Sequence, residues 1–290
     1  MNKLGKFIVC VALSLGLLPL GGCAVVWELK GVNTDFTEAG TGITSVHIDY
    51  DHANFSVCFD EHAEKVTVSY PALYNHRAEA VSQISLEETE TSVTLLEDDG
   101  GIADAGFKIG EYELPTLTLI LPADRVYDLA LSTSYGEIVM QGKGAFSALA
   151  IGAKNGEIRA ETVTLVGETA SFVTGRGGIR MGEVTAATVN LQTETGSISV
   201  EKTITAKELF VTTDHGTIKT LRGVAVEKAA FTTRIGAIDA LLLGKATDYT
   251  VKISSGTLTG ETPSAGESEL HLVTLKTMVG VIEVDFKELK

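Results

Sequence analysis

Three cysteines, five prolines and one tryptophan are all that this chain of 290 residues contains of those types. Cys10 lies in an apolar leader and Cys23 directly after it, so Cys58 is the one thiol in the rest of the chain. One thiol excludes an intrachain disulfide, although export would permit one, and the core has to hold by packing alone. No segment after residue 23 is apolar over the roughly 20 residues that a spanning helix needs. No stretch of convincing length repeats apolar residues at the helical period. Positive charge is also scarce: 23 Lys and Arg stand against 38 Asp and Glu, a formal charge of −15. Duplex binding relies on cationic contacts to phosphate, so this balance argues against a nucleic-acid partner. A nucleophile elbow, a phosphate-cradling Gly loop and a C-x-x-C pair are missing too, and no cofactor motif takes their place.

What is present begins with Lys3 and Lys6, an apolar run from Phe7 to Leu20, and then Leu20-Gly21-Gly22-Cys23. A basic start, a short apolar core and small residues before a cut site describe a secretory signal peptide over residues 1–22. Gly16 and Pro19 interrupt the run, which is too short to span a bilayer. Its ending resembles the lipobox of bacterial lipoproteins. That resemblance implies cleavage before Cys23, diacylation of its sulfur, and a membrane partnership through that lipid. The alternatives are an ordinary secretory signal and an uncleaved anchor. Loss of Lys3 and Lys6 would take the formal charge from −15 to −17. Residues 23–42 then read as the lipidated Cys and a tether, with Trp27 at the membrane interface. The expected location is the outer side of the cytoplasmic membrane or the outer membrane.

The rest of the chain repeats itself. Tyr135-Gly136-Glu137-Ile138 returns as Asn155-Gly156-Glu157-Ile158. Further copies centre on Gly177, Gly196, Gly216, Gly236, Gly256 and Gly280, at spacings of 20, 21, 19, 20, 20, 20 and 24. The last step holds Pro263-Ser264-Ala265-Gly266, which reads as an inserted loop. Five positions before each Gly stand Leu131, Ile151, Phe172, Leu191, Val211, Phe231, Val251 and Leu275, and seven before it another mostly apolar set. Three before it stands Thr, except for Ala153 and Ile253. Alternation at period two makes these segments half-buried strands. Two positions after the Gly a second short strand begins, with inward parity reversed, so the chain turns a corner at each Gly. Thr195, Ile235 and Val279 precede their glycines, and β-branched residues resist positive φ. A type II corner, with Gly alone at positive φ, fits best.

Constant spacing suits stacked coils, whose equivalent residues meet about 4.8 Å apart, better than antiparallel hairpins. The expected fold is therefore all-β: a single-domain parallel β-solenoid over residues 43–290 with coils of about 20 residues. Residues 126–290 form the regular repeats. Residues 43–125 form irregular first coils, with Ala53 where Gly should be and strands around Val66-Thr67-Val68, Ser92-Val93-Thr94 and Leu117-Thr118-Leu119. Leu119-Ile120-Leu121-Pro122, followed by Leu129-Ala130-Leu131-Ser132-Thr133-Ser134-Tyr135-Gly136-Glu137-Ile138, resembles a bacterial family of unknown function whose members carry the label "putative adhesin". The resemblance covers residues 43–290. It implies a strand ending in Pro and then repeated Thr-x-x-Gly-x-Ile coils, and it brings no catalytic residues.

Arg159, Arg180 and Lys219 share the outward position three after the Gly, beside Glu137 and Glu157. They are the candidate ligand-binding row, a contact for an anionic glycan, although solvated cross-strand pairs are the plainer reading. His47, His52, Cys58 and His62 crowd one stretch, but strand alternation scatters them, so no metal site is expected. Asp98, Asp99 and Asp104 lack an EF-hand pattern, and whether that acidic turn takes calcium stays open. The expected function is a non-catalytic, adhesin-like or scaffold module contacting a glycan or an envelope protein. The alternative is an enzyme acting on envelope polysaccharide. Oligomeric state and coil handedness stay open.

Overall fold

The computed structural model describes residues 30–37, 42–74, 83–98, 114–254, 257–258 and 271–288. The leader, Cys23, Trp27, Asp99, Asp104, Gly256 and the Pro263 loop lie outside the described residues.

The chain is an all-β solenoid. Ile138, Ile158, Ile179, Ile198, Ile218 and Ile238 pair in parallel, each with its equivalent in the next coil. Each regular coil has three strand segments. In the coil turning at Gly196, the segment before the corner buries Val189, Leu191 and Thr193. The segment after it buries Ile198 and Val200, and a third buries Ile204 and Ala206. Residues 194–197, around the corner Gly, separate the first two segments, and residues 201–203 separate the second from the third. These inward columns stack into one continuous core from Ile43 to Val284. A buried Ile in such a column contributes about 1.5–3 kcal/mol.

The corner glycines are needed for a reason other than a type II turn. Where φ is positive it lies between 142° and 156°, at Gly136, Gly177, Gly196, Gly236 and Gly280, well away from the +80° of that turn. Stacking distance is what demands Gly. A Cβ at Gly216 would stand 1.9 Å from the carbonyl oxygen of Gly196, and one at Gly156 would stand 1.7 Å from that of Gly136. The same carbonyls explain the Thr three residues earlier. Thr213 Oγ1 donates to Gly196 O at 2.9 Å and Thr233 Oγ1 to Gly216 O at 3.0 Å. Each buried hydroxyl satisfies a carbonyl of the coil below.

Both ends of the solenoid are interleaved. Strand Ser45–Asp49 lies between Ser92–Asp98 and Val126–Tyr135, with parallel pairs on both sides. Asn54–Asp60 likewise lies between Thr116–Pro122 and Ile138–Asn155. The first coil in sequence is thus the second in space. At the other end, His271–Val279 pairs with both Val224–Ile235 and Tyr249–Ser254. The coil of residues 249–258 is outermost, and the last segment of the chain is inserted beneath it. Its register departs from the repeat, since Val251 faces Val273 and Ile253 faces Leu275. Thr257 nevertheless faces Val281, as the repeat would place it. A shift of two keeps apolar side chains inward.

The N-terminal end departs from parallel stacking. Thr67–Tyr74 runs antiparallel to Thr116–Pro122, Lys30–Thr37 antiparallel to Thr67–Tyr74, and Gln83–Glu88 antiparallel to Ser92–Asp98. Part of the segment expected as a tether, residues 30–37, is therefore strand. These additions cover sheet edges that would otherwise invite pairing with another chain.

Candidate functional site

The strand segment after each corner presents the expected basic row. Arg159 and Arg180 are cross-strand neighbours, and Ser199 separates Arg180 from Lys219. None of the three cations is free. Arg159 Nη2 lies 2.9 Å from Glu157 Oε2 and 3.8 Å from Glu137, while Arg180 Nε lies 2.5 Å from Glu157 Oε1. Lys219 Nζ reaches Asp239 Oδ2 at 2.9 Å. The hydrogen bond and charge of Glu157 push the Arg159 guanidinium pKa up, and Asp239 does the same for the Lys219 ammonium. Asp239 faces Glu283 in the next strand. The row is a mixed-charge stripe, with each cation screened by a carboxylate on the same face.

The early His and Cys residues are spread apart. His52 is buried, His47 and His62 are exposed, and Cys58 is half-buried on an outward position. Among the described residues no group of three or more His, Cys, Asp or Glu side chains is placed to hold a metal. His52 instead serves the interleaved end: its backbone N–H donates to the buried Glu97 carboxylate at 3.1 Å, and its ring stacks on Tyr135 at 5.5 Å. Asp98 is exposed at the close of its strand.

A feature that the repeat pattern hides is a cleft at the C-terminal crossover. After Gly244 the chain leaves the stack through the 3-10 turn Ala246–Asp248 to reach the outermost coil. The third strand segment of the next coil, where Leu242 pairs with Val224, therefore stops short of Val226. The resulting space of about 210 Å³ is lined by Ala206, Ala225, Val226, Leu243, Glu227, Asp248, Tyr249 and His271, with Gly244. His271 Nδ1 donates to the Val226 carbonyl at 2.8 Å, where the next strand would have put a backbone N–H. Tyr249 is buried, donates its hydroxyl to Leu243 O at 2.6 Å, and packs against His271 and Phe286. Burial, aided by the charge of Asp248, pushes its phenol pKa up. No sequence signal marked these residues, because the repeat alignment puts Tyr249 over Val273, whereas it stands over His271.

The family described as Toastrack DUF4097 matches residues 43–285. A solved structure of a putative adhesin from Bacteroides fragilis is 14% identical, covering 88% of this chain and 97% of that one, with a TM-score of 0.48. One from Parabacteroides distasonis, also described as a putative adhesin, is 12% identical, covering 88% and 98%, with a TM-score of 0.44. A putative cell adhesion protein from Clostridium sporogenes is 13% identical, covering 89% and 100%, with a TM-score of 0.27. No curated protein matches.

Proposed function

This chain belongs to the Toastrack DUF4097 family, and we propose that it is a lipid-anchored, non-catalytic binding module of the cell envelope. The observation that carries this reading is how the solenoid spends its side chains. The inside of the coil is filled by stacked apolar columns, and between Val126 and Leu243 the described strands follow one another through short turns, with polar side chains outward. Polysaccharide-cleaving chemistry needs two carboxylates held across a sugar ring. Here the outward carboxylates Glu157 and Asp239 are engaged by Arg159, Arg180 and Lys219 on the same face. Outward side chains repeated at strand spacing suit contact with an extended glycan or the surface of an envelope protein. The lipobox-like Leu20-Gly21-Gly22-Cys23 supports attachment through lipid on Cys23 and a place outside the cytoplasm.

The test uses the soluble chain from Ala24 onward against immobilised envelope glycans and purified envelope proteins, with peptidoglycan and acidic polysaccharide as possible substrates. Saturable binding without turnover is expected. The variant R159Q/R180Q/K219Q shows whether the mixed-charge stripe takes part, through loss of that binding. Hydrolysis that depends on pH and disappears with one carboxylate substitution would replace the binding module with an enzyme.

A further inference from the structure

We infer that the cleft at the C-terminal crossover binds a small alkylammonium group, of the kind carried by a lysine side chain on a protein partner. Its polar lining only accepts. Glu227 and Asp248 bring carboxylates, and no Lys or Arg is among the described lining residues. Asp248 is exposed at the rim, and its Oδ2 takes the backbone N–H of Lys245 at 3.2 Å. Tyr249 has given its one hydroxyl proton to Leu243 O. His271 must carry a proton on Nδ1, because its partner there is a carbonyl, which can only accept. In the neutral ring Nε2 is then a lone-pair acceptor, and its orientation is set by that bond and by the Tyr249 ring 5.1 Å away. An ammonium supplies three donors and no acceptor, which is the complement of this set.

The floor decides what stands behind the ammonium. Ala206, Val226 and Leu243 are buried and apolar, and Ala225 joins them. They suit a methylene stem, which can lie on apolar surface while its charged head meets the rim. A hydroxylated amino sugar would leave its ring hydroxyls without partners there. About 210 Å³ is room for one such side chain and not for a folded segment. The net charge of −15 favours approach of a cation. This inference does not depend on the anchor or on the partner of the outer faces.

The probes are n-butylammonium, the neutral n-butanol of the same length, the anion butyrate, and glucosamine. Binding is followed by NMR of the His271 and Tyr249 ring signals in the intact soluble chain. Butylammonium should shift those signals saturably, butanol at least about tenfold more weakly, and butyrate not at all. E227Q and D248N should each weaken butylammonium by about tenfold, while E283Q, on another face, leaves it unchanged. Unchanged backbone spectra of the exposed-site variant E227Q exclude misfolding as the cause. Equal shifts from butylammonium and butanol, or equal losses in E227Q and E283Q, would overturn the site. Tighter binding of glucosamine than of butylammonium would overturn the lysine-stem assignment, and an absence of saturable shift would overturn both.

Discussion

A residue in this fold answers to the residue one coil away more than to its chain neighbours. Gly216 is the clearest case. No left-handed φ is required there, yet a Cβ would sit 1.9 Å from Gly196 O. G216A should therefore cost about 1–3 kcal/mol or more through overpacking of stacked backbone. T213V keeps shape but strips the donor from the half-buried Gly196 O, and should cost about 1 kcal/mol. At Ala153 the Thr of the repeat is missing, although its position lies beneath the same column and is buried. A153T should restore the bond to Gly136 O and add about 0.5–1.5 kcal/mol. Urea denaturation of the three variants checks all three signs. Ile218, stacked between Ile198 and Ile238, was legible from spacing alone, and the structure pairs it so. I218D should unfold neighbouring coils while K219D leaves the midpoint near that of the parent, because Lys219 is exposed. The role of the glycines was not legible, because the contact that forbids a Cβ joins residues about 20 apart, whereas a turn rule sees only adjacent ones.

Among elements, order in sequence and order in space part company at both ends. A strand pattern shows which residues face inward but not which coil lies beside which, so the interleaving could not be read from the repeat. Its physical effect is to remove the first and last coil strands from the sheet edge. His271–Val279 has partners on both sides, whereas Tyr249–Ser254 takes its sheet pairing from His271–Val279, among the described residues. Local opening begins where fewest neighbours hold a segment. Amide hydrogen exchange should thus be slower in residues 271–279 than in 249–254, although the former lie nearer the end of the chain. At the other end Ser45–Asp49 should exchange more slowly than Gln83–Glu88, which pairs with Ser92–Asp98 across one edge. Protection that simply falls toward the chain ends would contradict the interleaved order. The cleft belongs to this scale as well. It exists because the chain skips a strand position to reach the outermost coil, and Glu227, Asp248 and His271 meet only through that detour.

For the whole molecule, the proposed attachment at Cys23 precedes the packed core in sequence. The core runs from Ile43 to Val284, closed by antiparallel strands at its N-terminal end, and no described helix is long and apolar enough to cross a membrane. If Cys23 carries the lipid, it is the attachment, and the solenoid needs none of it to fold. Two acyl chains are enough for stable anchoring where one is marginal. The direct test is to fractionate cells making the full chain or C23A, with labelled palmitate, and to melt whatever is released. The wild type should enter the detergent phase with label on Cys23. C23A should lose the label, and any soluble form should melt as cooperatively as the chain made from Ala24 onward. Unlabelled wild type in the soluble fraction, with its mature terminus away from Cys23, would contradict the account.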